Sequence, residues 1–245
     1  MLIEPESDNA SIVILGQFNP RIITPHWLSS NDMITKQEAD NFEIEIVHKQ
    51  VSKFSNERLL IQVVENRFLI QSINPPAVTI RDLTLKIFGQ LLVHTPVTSL
   101  GINRLVHFKA GSWASLMRMG EALAPKSAWG NWGEALSGST DIPKELSSTK
   151  QETLNKLVGR IGGMKLITME QSIRFDEYDG SIGVKVEPSS LVPQHGVSIE
   201  VNDHYSFDED PNALDKIVTV LEGSWEKSRT RSDMIINDLM KLAED

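Results

Sequence analysis

The chain has no cysteine. That excludes disulfides, thiolate zinc sites and cysteine nucleophiles together, and it suits a reducing compartment. Long apolar runs are missing too. None approaches the ~18 residues that a membrane span needs, and Met1 to Asn9 carries Glu4, Glu6 and Asp8 where a signal peptide would be basic. A cytoplasmic, soluble protein with no membrane partner is expected. Positive charge is short: 24 Lys and Arg face 33 Asp and Glu, a net charge of −9. Nucleic-acid affinity comes largely from basic side chains neutralising phosphates, so a nucleic-acid partner is not expected. The cluster Lys227, Arg229 and Arg231 is read as a solvated helix face.

Motifs of catalysis are also lacking. There is no Gly-x-Ser-x-Gly nucleophile elbow. Gly159 to Gly163 is glycine-rich but follows a helix-like stretch and lacks the Lys-Ser/Thr of a phosphate loop. His26, His48, His94, His107 and His195 offer no pair at i, i+4 of the kind zinc proteases use. Neither a metal nor a cofactor is expected.

What is present is an ordinary globular composition, 40% apolar and 23% charged over 245 residues. Ser11–Phe18 reads as a buried strand. Thr24 caps a helix that begins at Pro25, and Thr35 with Glu38 forms a capping box for a second short helix to Asp40. Phe42–Val51 alternates as a strand. Arg58–Val64 and Arg67–Ile73 form a hairpin turning at Glu65-Asn66, which makes three antiparallel strands in a row. Thr79 to Val93 carries a helical stripe of Ile80, Leu83, Ile87, Phe88, Leu91 and Leu92. Val97–Phe108 is the next strand, followed by a helix over Trp113–Leu123 with Trp113, Leu116, Met117 and Leu123 inward.

The pattern then dissolves from Ala124 to Thr149 into Pro, Gly, Ser and two tryptophans. Ser148 with Gln151 caps a further helix whose stripe is Leu154, Leu157, Val158 and Ile161. Lys165–Phe175, Ser181–Glu187 and Val197–Phe207 are strands, with Asp179-Gly180 as a hairpin turn. Asp210-Pro211 opens a helix running nearly to the end, and its wholly polar Ser228–Asp233 stretch implies a break or a projection past the sheet. Strands clustered in antiparallel runs with helices between them define an α+β class. The expected organisation is an α+β half over 1–124, a Trp/Gly/Pro/Ser connection over 125–149, and a second α+β half over 150–245.

A short signature occurs twice: Ile102-Asn103 and Val201-Asn202, each followed five residues after its Asn by a Phe, Phe108 and Phe207. It suggests two related halves, and Asn103 and Asn202 are candidate binding residues. Alternation puts Val197, Ile199 and Val201 on a core face, leaving Glu200, Asn202 and His204 on the other. His204 with Glu200 or Asp203 is therefore the candidate acid–base group. Asp203, Asp208, Glu209 and Asp210 match no calcium loop and read as carboxylates at a helix start. Trp27, Trp113 and Trp225 lie on apolar stripes and read as core. Trp129 and Trp132, in an irregular segment, are candidate partner contacts.

Gly16-Gln17-Phe18-Asn19-Pro20 with Pro25 and Trp27, His94-Thr95-Pro96 to Gly101-Ile102-Asn103, Leu123-Ala124-Pro125, Val186-Glu187-Pro188-Ser189 and Asn202-Asp203-His204 together resemble a sporadically distributed, uncharacterised bacterial family. The resemblance carries over no functional residue. The patchy occurrence it implies suits an accessory role such as phage defence. The sequence thus points to a non-enzymatic interaction or adaptor protein with a protein partner or self-association. The alternative is a hydrolase or other acid–base enzyme centred on His204.

Overall fold

The computed structural model describes residues 3–73, 77–137, 163–175 and 178–244. Apolar residues at every second position of β1 (Ser7–Gly16) build a strand with one buried face, carried by Ala10, Ile12 and Ile14. α1 (Pro25–Ser30) and α2 (Lys36–Asp40) follow. Thr24 Oγ1 accepts from Trp27 N–H at 3.2 Å and starts the first; the Thr35–Glu38 capping box starts the second. A meander of β2 (Glu43–Val47), β3 (Val51–Ser55), β4 (Leu59–Val64) and β5 (Arg67–Ile73) returns to pair β5 with β1. α3 (Val78–Lys86) runs on into a π-helical turn, Ile87–Leu91, and leads to β6 (Val97–Lys109) on the other side of β1. α4 (Trp113–Leu123), a 3₁₀ turn at Lys126–Trp129 and α5 (Gly130–Ser137) come next. A second meander, β7 (Ile167–Phe175), β8 (Tyr178–Pro188) and β9 (Gly196–Ser206), brings β9 back to β6. α6 (Ala213–Gly223) and α7 (Trp225–Lys241) end the fold.

The result is one nine-stranded antiparallel sheet in the order β2-β3-β4-β5-β1-β6-β9-β8-β7, with the long C-terminal helix expected of an α+β chain. One sheet face supplies the core. Ile12, Phe68, Ile70, Leu100 and Ile102 meet Ile80 of α3, Phe88 of the π turn, Ile217 and Leu221 of α6, and Trp225 of α7. Further along, Val106, Phe108, Val197 and Ile199 meet Leu116 and Met119 of α4 and Ile236 and Met240 of α7. Alternate residues of the inner strands stay half-exposed on the opposite face. No described helix is long and apolar enough to cross a membrane.

Several local expectations need correction. The strand expected over Phe42–Val51 divides at His48–Gln50, so three antiparallel strands become four. Leu91 leaves the α3 stripe for solvent because the wider π turn rotates it off the buried face. In α4 the buried positions are Ser115, Leu116, Met119 and Gly120, while Met117 is half-exposed. Asp179-Gly180 is no turn: Phe175 pairs with Tyr178, and Gly180 sits inside β8. Glycine is required there by space, since a Cβ would lie 2.0 Å from the His204 carbonyl oxygen and 2.9 Å from the Phe175 ring. Asp210 closes a local turn by accepting from Asn212 N–H at 2.9 Å, and α6 begins only at Ala213. The segment expected to be irregular is helical over 126–137. Residues 138–149, the Ser148–Gln151 capping box and the Leu154 to Ile161 stripe lie outside the described residues.

Candidate functional site

Strand registers place the two signature asparagines directly opposite each other: Asn103 of β6 pairs with Asn202 of β9. The same row runs on through Ser11 and Gln71 on one side and Gly183 on the other. A parallel row sets Leu69, Val13, Gly101, His204 and Ser181 side by side. All of these except the buried Gly101 are half-exposed on the face away from the core. Gly101 leaves room between its neighbours: a Cβ there would lie 3.2 Å from Asn202 Oδ1 and 3.5 Å from Asn103 Nδ2. The centre of this face is therefore a strip of amides and hydroxyls, able to donate and accept hydrogen bonds.

The same alternation separates the acid–base candidates. Glu200 and His204 share the half-exposed face but stand four residues apart on β9, about 13 Å. Asp203 has the opposite parity and is 1% exposed on the core face. His204 is flanked in its row by Gly101 and Ser181, and neither of those is an acid. Grouping Asp203 with His204 is thus corrected by the strand's two-residue period. Among the described residues no three carboxylates or histidines gather as a metal site requires.

Beneath the sheet the chain buries charge. α7 continues the stripe of Trp225 through Ser228 and Ser232 to Ile236 and Met240, all buried. Its polar middle, expected to break or project, therefore faces the sheet. Arg231 Nη2 stands 3.4 Å from Asp203 Oδ2, and the Arg231 guanidinium lies 4.8 Å from the centre of the Phe175 ring. Two residue pairs along, Arg104 of β6 holds Asp8 of β1 through two hydrogen bonds of 2.9 and 2.8 Å and also pairs with Asp233 of α7. Burial pushes the Asp203 carboxyl above its usual range, against the opposing pull of Ser228 and Arg231. A cavity of about 10 Å³ lies among Asp203, Arg104, Trp225 and Ser228. These groups are committed to each other, and Arg231 is not available to the basic cluster with Lys227 and Arg229. The signal was legible: Asp203 follows Val197, Ile199 and Val201 at the same parity, and Ser228 and Ser232 follow Trp225 at helical spacing.

A histidine–serine contact also escaped sequence reasoning. His107 Nδ1 is 2.8 Å from Ser189 Oγ, whose oxygen accepts from Leu191 N–H at 3.1 Å and Val192 N–H at 2.8 Å. With both lone pairs engaged, Ser189 donates to the ring, and the contact fastens a loop rather than readying a nucleophile. Burial holds His107 below the usual imidazole range, with Glu187 pulling the other way.

Elsewhere, Trp129 and Trp132 are 58% and 59% exposed and meet edge to face at 5.4 Å. Lys126 anchors their turn to α4, its Nζ 2.8 Å from Glu121 Oε2. A cleft of about 690 Å³ opens between α2, the β3–β4 connection and α3, floored by Met33, Phe42 and Leu59 and rimmed by Glu38, Glu57 and Arg58. No protein-family model matches the chain, and no curated protein matches it.

Proposed function

We propose that the chain is a non-enzymatic interaction protein, a cytoplasmic subunit or adaptor of an accessory bacterial system, that docks a protein partner on the half-exposed face of its sheet. One observation carries this reading. The core draws on one face, while the other presents an aliphatic cluster of Val51, Val64, Leu69, Val13 and Leu15, crossed by Arg67 between Val64 and Leu15, beside the amide strip. Val51 pairs with Val64, and Leu69 with Val13; Leu15 neighbours Leu69 diagonally. Apolar residues grouped beside hydrogen-bonding groups are the composition of a docking surface. The exposed Trp129–Trp132 pair supplies a second contact of the type that dominates interfaces.

The alternative, acid–base catalysis at His204 with Glu200 or Asp203, has less support. It requires a carboxylate within hydrogen-bond reach, whereas Glu200 lies four residues along β9 from His204 and Asp203 lies on the opposite face.

The test is affinity capture from the native host's lysate with wild type and with a folded Leu15→Lys/Leu69→Lys variant. A stoichiometric partner held by wild type and reduced at least tenfold by the variant is expected. Equal capture by both, or no partner with either, contradicts the reading.

A further inference from the structure

The two outer strands of the sheet differ in a way that selects one of them for self-association. β2 is short, its ladder is broken by a bulge between Ile44 and Ile46, and it carries Glu43 and Glu45. Bulges and charges are what natural sheets use to block pairing at an edge. β7 has no bulge, and its two charges, Glu170 and Arg174, are of opposite sign. It is nine residues long, pairs with β8 in unbroken register from Ile167 to Phe175, and contains no proline. Its residues from Thr168 to Arg174 are all exposed, including Met169 at 60% and Ile173 at 37%.

We infer that β7 pairs antiparallel with β7 of a second copy, about a two-fold axis at Gln171, joining the two sheets into one continuous sheet. The sequence ITMEQSIRF is self-complementary under that operation. Ile167 faces the partner's Phe175, and Met169 faces the partner's Ile173. Thr168 faces the partner's Arg174, and Glu170 faces the partner's Ser172. On the core side apolar residues thus meet apolar ones, with Gln171 meeting its own copy at the axis; on the other side polar residues meet polar ones, and no like charges stand directly opposite. A slip of one residue sets Met169 against Ser172 and mixes the two faces, so the pattern fixes the register. The same operation on β2 sets Glu45 against Glu45 across a bulge, which excludes that edge as the self-pairing one. A two-fold interface of this kind is closed, and the half-exposed face remains open for the partner proposed above. The inference does not rest on that proposal.

Sedimentation velocity on the full chain from about 1 to 100 µM, the range in which weak sheet-edge dimers form, provides the test. Wild type is expected to reach twice the 27.4 kDa chain mass. The variants Met169→Lys/Ile173→Lys and Met169→Glu/Ile173→Glu each place like charges opposite one another and are expected to remain monomeric. Both positions are exposed, so both variants keep the fold, as circular dichroism will report. Mixed in equal amounts, they are expected to recover the dimer, because each introduced lysine then faces an introduced glutamate of the other copy. A wild type that stays monomeric throughout overturns the inference. So does a dimer that both variants retain, or a mixture that recovers none.

Discussion

Asp203 and Arg231 show what a single pair of side chains decides. A carboxylate that is 1% exposed needs its counter-charge, and Arg231 reaches it from a helix that closes over the sheet from the far end of the chain. Breaking such a pair from one side leaves an uncompensated buried charge and costs about 3 kcal/mol. The folded-state pKa of Asp203 is raised, so the folded protein binds more protons than the unfolded chain just above the usual aspartate range. Stability from this group therefore falls as pH rises through that window. Arg231→Met removes an opposing pull and enlarges the effect. Its cost is expected to be about 3 kcal/mol at pH 7, smaller near pH 5, and mostly cancelled at pH 7 by adding Asp203→Asn. Denaturant unfolding of the four proteins of that cycle at both pH values checks this. A cost that is independent of pH and not rescued removes the buried-pair account.

Among elements, the ones legible in the sequence were those with strong local chemistry. Thr24-Pro25, the Thr35–Glu38 box and the Glu65-Asn66 hairpin are set by caps and turns within four residues, and the structure keeps each. The misread elements depended on distant partners. Gly180 signals a turn locally, yet its role is to clear the backbone of β9 and a ring of β7. Ser228 to Asp233 reads as a solvated stretch until Asp203 and Arg104 supply the groups it faces. At the site, alternation along β9 was enough to place His204, but the pairing of Asn103 with Asn202 needs a register between strands about a hundred residues apart. α7 is consequently part of the core and not a free docking arm. Truncation after Trp225 removes Ile236, Met240 and Ala243, all buried. At about 2 kcal/mol each for Ile236 and Met240 and under about 1 for Ala243, together with the lost Asp203–Arg231 pair, this approaches the whole stability of a domain. The shortened protein is expected to lose its cooperative thermal transition and its near-ultraviolet circular dichroism. A cooperative melt close to wild type contradicts that role for the helix.

For the whole molecule, the arrangement amounts to a sheet with two different surfaces and two different edges. Caps, crossovers and buried ion pairs place the core on one face and close α7 over it. The opposite face presents the aliphatic patch next to the Gln71–Ser11–Asn103–Asn202 strip. This division between faces is the central claim, and it concerns where a partner sits as well as whether one exists. Hydroxyl-radical footprinting of the captured complex against the free chain tests it most directly. Leu15, Leu69 and Val64 are expected to lose labelling several-fold in the complex, while Met234, exposed on α7, keeps its labelling. Unchanged labelling of the three aliphatic residues in a stoichiometric complex contradicts the account.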